Sequence, residues 1–140
     1  MLAGQLALIA AALFSGAAIY INVAEQPARL GLGDQSLLDE WKPAYKRGTL
    51  MQAPLAIIGF LLGAIAWWQS GNLLWGAGSL LMLANLPVTL IVIMPTNNRL
   101  MATQTATSES RTQIVKWGAL HAVRTGLGFA ATATFLLATL

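Results

Sequence analysis

The chain has no cysteine, and its 140 residues include a single histidine and only five acidic side chains. The missing thiols exclude disulfides, Fe–S clusters, thiolate zinc sites and cysteine nucleophiles. With one histidine, a single chain can build neither a multi-histidine metal site nor the ligation of two haems. Charge is scarce as well. Charged residues make up 9% of the chain and hydrophobic ones 56%, whereas a soluble domain carries about 25% charged residues. So little charge cannot coat a water-facing surface. This excludes a soluble globular domain, a disordered chain and an ordinary nucleic-acid binder. A mean hydropathy of +0.65 points the same way. The length suits one domain, residues 1–140.

What is abundant is long apolar runs, at about residues 2–24, 50–68, 73–94 and 119–140. Each is close to the roughly 20 residues that cross a hydrocarbon core as a helix. Inside lipid a helix satisfies every backbone polar group internally. The first run lacks a basic leading region and is longer than the apolar part of a signal peptide, so it reads as a retained span. The expected fold is all-α: a four-helix transmembrane bundle with a partly helical, amphipathic first loop.

The connections are unequal. Gln69-Ser70-Gly71-Asn72 is a tight polar turn that makes the second and third spans an antiparallel hairpin. The other two connections are long, Glu25 to Thr49 and Pro95 to Gly118. They hold Arg29, Lys42, Lys46 and Arg47, then Arg99, Arg111 and Lys116. Four spans put both on one membrane face. The positive-inside rule assigns that face to the cytoplasm of a cell (inner) membrane, with both termini outside. The net charge of +3 then follows from topology, with no nucleic-acid partner.

Ser36 to Asp39 reads as a capping box. Leu38, Trp41 and Tyr45 follow as one stripe, which Gly48 and Gln52 prolong if the helix is continuous; the other reading is an amphipathic segment lying at the interface. Gly59 and Gly63 form a G-x-x-x-G face. Ala12 with Gly16, and Gly76-Ala77-Gly78, offer further small faces. Such faces also allow a homo-oligomer. Asn85 and Pro87 interrupt the third span and predict a kink or local water site.

Polar groups at membrane depth are costly and mark candidate functional sites. Trp117, His121, Arg124 and Gly128 recur at i, i+4, i+7 and i+11, one helical face. Glu25 is the acid closest to a span, which predicts a Glu25–Arg124 or Glu25–Arg29 pair. Two readings stand side by side. In one, Glu25, Gln52, Asn97, Asn98, His121 and Arg124 line a polar pocket walled by Trp41, Tyr45 and Trp117. In the other, they are a structural clamp, with Arg124 reaching to the interface. As the one imidazole, His121 is the natural proton acceptor. Haem ligation by His121 with Met51, Met82, Met94 or Met101 is less natural than packing roles for these methionines.

Three segments, in order and between four spans, carry a family resemblance. Trp41 to Gly48 reads W-x-x-x-Y-x-R-G, Pro95 to Leu100 reads P-x-N-x-x-L, and Trp117 to Arg124 reads W-x-x-x-H-x-x-R. The chain resembles, over nearly its whole length, the anthrone-oxygenase-like family of integral membrane proteins. That resemblance implies a small four-helix membrane protein. Some members in polyketide pathways oxidise an anthrone to an anthraquinone with molecular oxygen and no evident cofactor; many bacterial relatives have no assigned activity. The resemblance thus implies an oxygenase that acts on a flat, hydrophobic phenolic or anthrone-type substrate, with no cofactor and no metal. Its partners would be membrane lipid and that small molecule. His121 would remove a proton, and Arg124 with Asn97 or Asn98 would stabilise the oxyanion. Trp41, Tyr45 and Trp117 would stack on the rings, with Glu25, Arg47 and Gln52 completing the substrate contacts. The competing readings are a non-enzymatic membrane subunit, scaffold or assembly factor, and a quinone- or lipid-binding protein or small transporter. No duplication suggests inverted repeats.

Overall fold

A computed structural model describes residues 1–140 as four long helices without strands. They are α1 (Leu2–Leu30), α2 (Asp34–Ser70), α3 (Leu73–Ala102) and α4 (Ser108–Thr139). Each is long and apolar enough to cross a membrane, and the chain is a multi-pass membrane protein. α1 packs against α2 and α4, and α3 packs against the same two. The polar turn is as expected: Gly71 closes α2 in the left-handed region at φ 70°, and the Asn72 side chain accepts from Leu74 N–H to cap α3.

The two long connections are not loops. α1 runs on to Leu30 and α2 starts at Asp34, so only Gly31 to Gly33 joins them. α3 runs on to Ala102 and α4 starts at Ser108. Basic residues suggested loops because charge is costly in lipid. Here they extend the same helices past the apolar band. The 37 residues of α2 measure about 55 Å, against a hydrocarbon core of about 30 Å. The segment around Trp41 is therefore part of one continuous helix through Pro43 and Pro54, not a separate piece lying flat. Nor does Ser36 cap it: the helix begins earlier, with Gly33 at the cap position. The capping box of this chain is Thr107–Ser110, at the start of α4.

The helical ends on the basic side are tied together. The Arg111 guanidinium donates to Asp34 and to the Leu30 and Leu32 carbonyls. Lys42 donates to the Thr103 carbonyl. Both short connections, with the basic helix ends that flank them, thus share one end of the bundle, while Met1, Asn72 and Thr139 line a hollow at the other.

Leu50, Leu80, Ile91 and Leu136 face outward, whereas Gln52, Asn85, Asn97, His121 and Arg124 are buried. The molecule is apolar outside and partly polar within, as a lipid solvent requires. Two apolar clusters fill the rest. One, built around Phe14, Trp75, Met82 and Phe135, lies toward the chain termini. The other, built around Leu38, Trp41, Ile93 and Trp117, lies toward the basic connections.

Gly59 and Gly63 do form a close-packing face, but its partners lie within the chain: Met82 covers Gly59, and Phe135 covers Gly63 and Gly78. Ala12 and Gly16 face outward instead, and the inward residues of Leu2–Tyr20 are Gly4, Ala7, Ala10, Ala11, Phe14, Ser15 and Ala18. A Cβ on Gly78 would stand 2.5 Å from the Phe135 ring, while one on Gly16 would meet nothing within 4 Å. Gly78→Val should therefore destabilise the bundle by about 1–3 kcal/mol, and Gly16→Val should not. Thermal melting of both variants in detergent checks this; equal melting would mean that Phe135 does not sit on Gly78.

Candidate active site

Between the two apolar clusters lies a polar layer, and α4 supplies its centre. Trp117, His121, Arg124 and Gly128 are all buried on one face, as their spacing predicted. His121 is 1% exposed. Its Nδ1 lies 2.7 Å from Asn22 Oδ1. The orientation of Asn22 is fixed from both ends: its Nδ2 donates to the Gly118 carbonyl at 2.8 Å, and its Oδ1 accepts from Thr125 Oγ1 at 2.7 Å. The atom facing Nδ1 is thus an acceptor, so Nδ1 carries the proton. The lone pair of the neutral ring is left on Nε2, which has no partner.

Arg124, one turn further along, joins none of the ion pairs. Its guanidinium lies over the Phe14 ring, 5.5 Å from the centroid, and its Nε is unpartnered. Of the two expected pairs, the structure forms Glu25–Arg29, at 2.9 Å, and not Glu25–Arg124. Arg29 Nε also lies 3.1 Å from Glu40 Oε2, near enough for charge pairing though not aligned as a hydrogen bond. The same guanidinium stands 5.7 Å from the Trp117 ring centroid. The two arginines differ, and Arg124 is buried and does not reach to the interface. Arg29 is clamped between two carboxylates, and Arg124 remains a free buried cation beside an imidazole lone pair.

These groups line one cleft. Glu25 and Arg29 come from α1, Tyr45 and Gln52 from α2, Asn97 from α3, and Trp117, His121 and Arg124 from α4. Two π-helical stretches flank it, Ile21–Glu25 in α1 and Val88–Ile93 in α3. Ile21, Glu25, Thr89 and Ile93 of these stretches reach the cleft. Such turns recur at functional sites. The interruption expected at Asn85 and Pro87 takes this form: Pro87 directly precedes the second stretch, and Thr89 Oγ1 donates to the Asn85 carbonyl at 2.7 Å. The free volume of the cleft is about 20 Å³, room for one water molecule. Outside it, between α1 and α2, runs a groove of about 520 Å³ that shares Ile21, Glu25, Ala44 and Gly48 with the cleft.

The aromatic wall is a stack. Trp41 and Tyr45 lie parallel at 4.9 Å, the edge of Trp117 meets Trp41 at 5.7 Å, and Trp117 lies 5.0 Å from the His121 ring. Nowhere do three His, Asp or Glu side chains gather as metal ligands.

The anthrone oxygenase family profile matches residues 41–134, which span the cleft residues of α2, α3 and α4. The chain belongs to the anthrone oxygenase family. No curated protein and no solved structure matches it.

For this member of the family, the site residues read from the sequence divide clearly. Glu25, Tyr45, Gln52, Asn97, Trp117, His121 and Arg124 share the cleft. Trp41 is fully buried behind Tyr45 and shapes the wall without touching the cleft. Asn98 is exposed, because one residue along a helix turns the side chain to the other side. Arg47 is exposed and borders the outer groove. Asn22, Gln26 and Thr125 were missed. Gln26 Nε2 donates to the Ile114 carbonyl at 2.9 Å and stitches α1 to α4. The signal was available: Asn22, Gln26 and Arg29 fall at i, i+4 and i+7, one face of α1.

Proposed function

We propose that this protein is a membrane-embedded oxygenase that uses molecular oxygen as co-substrate, without a resident cofactor, on a flat hydrophobic phenolic or anthrone-type compound. The observation that carries this reading is the unpartnered His121 Nε2, beside the unpaired Arg124 and held in one tautomer by Asn22. An acidic ring CH₂ would lose a proton to Nε2. The enolate-like oxygen left behind would be stabilised by Arg124. The carbanion would give electrons to oxygen and form a C–O bond. The proton on His121 returns to make a hydroperoxide, and loss of water takes the second hydrogen of that carbon and leaves a carbonyl. One oxygen molecule is consumed and one water released per CH₂ converted to C=O.

The substrate would come from the bilayer through the groove between α1 and α2. Ring systems of this size occupy pockets of about 300–1,000 Å³, so the cleft must widen to admit one. The basic connections are assigned to the cytoplasmic side on their charge.

The test is oxygen consumption by the purified protein with an anthrone, with ¹⁸O₂ as tracer. The expected result is one oxygen molecule per quinone and one labelled carbonyl oxygen. Binding without uptake would replace this reading by a quinone- or lipid-binding role. Release of one hydrogen peroxide per quinone would make the protein an oxidase rather than an oxygenase.

A further inference from the structure

Most buried amides in this bundle have a structural task. Asn22 binds the Gly118 carbonyl, Gln26 binds the Ile114 carbonyl, and Asn85 binds the Leu81 and Met82 carbonyls. Gln52 and Asn97 differ. Each is 1% exposed and lines the cleft; the carbonyl oxygen of each is buried with no partner, as are those of Gln26 and Asn85, but Gln52 and Asn97 alone among these also donate no hydrogen bond to the backbone. They reach the cleft from α2 and α3, and α4 supplies His121 and Arg124. A buried polar group left unsatisfied costs about 1–3 kcal/mol. Two such groups facing one cleft, with no share in holding helices together, are suited to a ligand.

We propose that Gln52 and Asn97 form a two-amide subsite that takes a phenolic hydroxyl carried on the ring system of the substrate. A primary amide offers both an acceptor and a donor, which a hydroxyl matches with its own hydrogen and lone pairs. The free volume of the cleft holds one water. A water bound there is displaced by a substrate oxygen that makes the same hydrogen bonds. A ring lacking the hydroxyl would displace the water and leave both amides bare. The inference rests on the oxygenase reading for the name of the substrate class, but its test does not depend on turnover.

The probes are 2-hydroxyanthraquinone, whose hydroxyl is free of the quinone carbonyls, and unsubstituted anthraquinone, both already oxidised and therefore unreactive. Binding is read from quenching of tryptophan fluorescence, since Trp117 edges the cleft. Wild type is expected to prefer the hydroxylated probe by about 10–100-fold. In Gln52→Leu and Asn97→Leu the preference should fall toward one, while thermal stability is unchanged or raised because no internal hydrogen bond is lost. Comparing the ratio across variants cancels different partition of the probes into detergent or lipid. Gln52→Glu, which keeps an acceptor and loses the donors, serves if a leucine variant fails to fold; it should keep only part of the preference. An equal preference in wild type and all variants overturns the proposal, as does failure of both probes to bind wild type. A clear preference in a protein that consumes no oxygen with any anthrone would keep the subsite and remove the oxygenase reading.

Discussion

His121→Ala is expected to lower the rate of oxygen uptake with an anthrone by roughly 10²–10⁴-fold and to leave the helices folded. Size alone does not explain such an effect, because the imidazole does two things at once. Nδ1 engages Asn22 and so joins α4 to α1, while Nε2 presents its lone pair to the cleft. A variant of Asn22 separates the two. In Asn22→Leu the ring loses the acceptor that keeps the proton on Nδ1, so part of the population carries it on Nε2, where it cannot act as a base. Activity should fall by about 10-fold or more, less than for His121→Ala, with binding of an unreactive quinone retained. Full activity in His121→Ala would remove the imidazole as base, and with it the mechanism above.

The second large effect is on stability. Arg29→Ala is expected to destabilise the bundle by about 2–3 kcal/mol. Removing one partner of a buried ion pair usually costs about 3–5 kcal/mol, since the other charge is left uncompensated. Here the arginine side chain is 2% exposed, but Glu25 and Glu40 are 27% and 35% exposed, so water relieves part of that cost. The loss should be partly recovered in the double variant Arg29→Ala with Glu40→Gln, which removes one of the two stranded carboxylates. Detergent melting of the single and double variants measures both. An Arg29→Ala protein that melts like wild type would show that the clamp carries no stability.

Much of this arrangement was legible in the residues themselves. Four apolar runs of spanning length specified the helices, and Ser70-Gly71-Asn72 specified the turn between α2 and α3. A face that repeats Trp117, His121, Arg124 and Gly128 can only point inward, because lipid offers the polar members nothing to bind. What was hidden has physical reasons. α1 is apolar nearly all round, so no amphipathic contrast says which side faces in, and Ala12 with Gly16 proved to be the outer one. Asn22 and Gln26 carry no charge and so mark a site less sharply than Glu25 and Arg29, although both donate to backbone carbonyls that any inward amide could find. Asn97 and Asn98 are chemically identical; only the phase of the helix separates them. The extension of each span beyond its apolar run depends on charges finding partners across helices, such as Arg111 with Asp34, and a single sequence does not display such pairings.

The two π-helical stretches carry a consequence for the chain as a string. Each holds one residue more than an α-helical turn would, in the manner of an insertion that the fold has absorbed. Deleting one residue from Ile21–Glu25 would let α1 continue regularly with the residues after it on the same face, because a π turn covers with one more residue nearly the rotation of an α turn. Arg29 would still meet Glu40, and Gln26 the Ile114 carbonyl. What the deletion removes is the wide turn that carries Ile21 and Glu25 to the cleft, so the extra residue specifies the wall of the cleft and not the register of the helix.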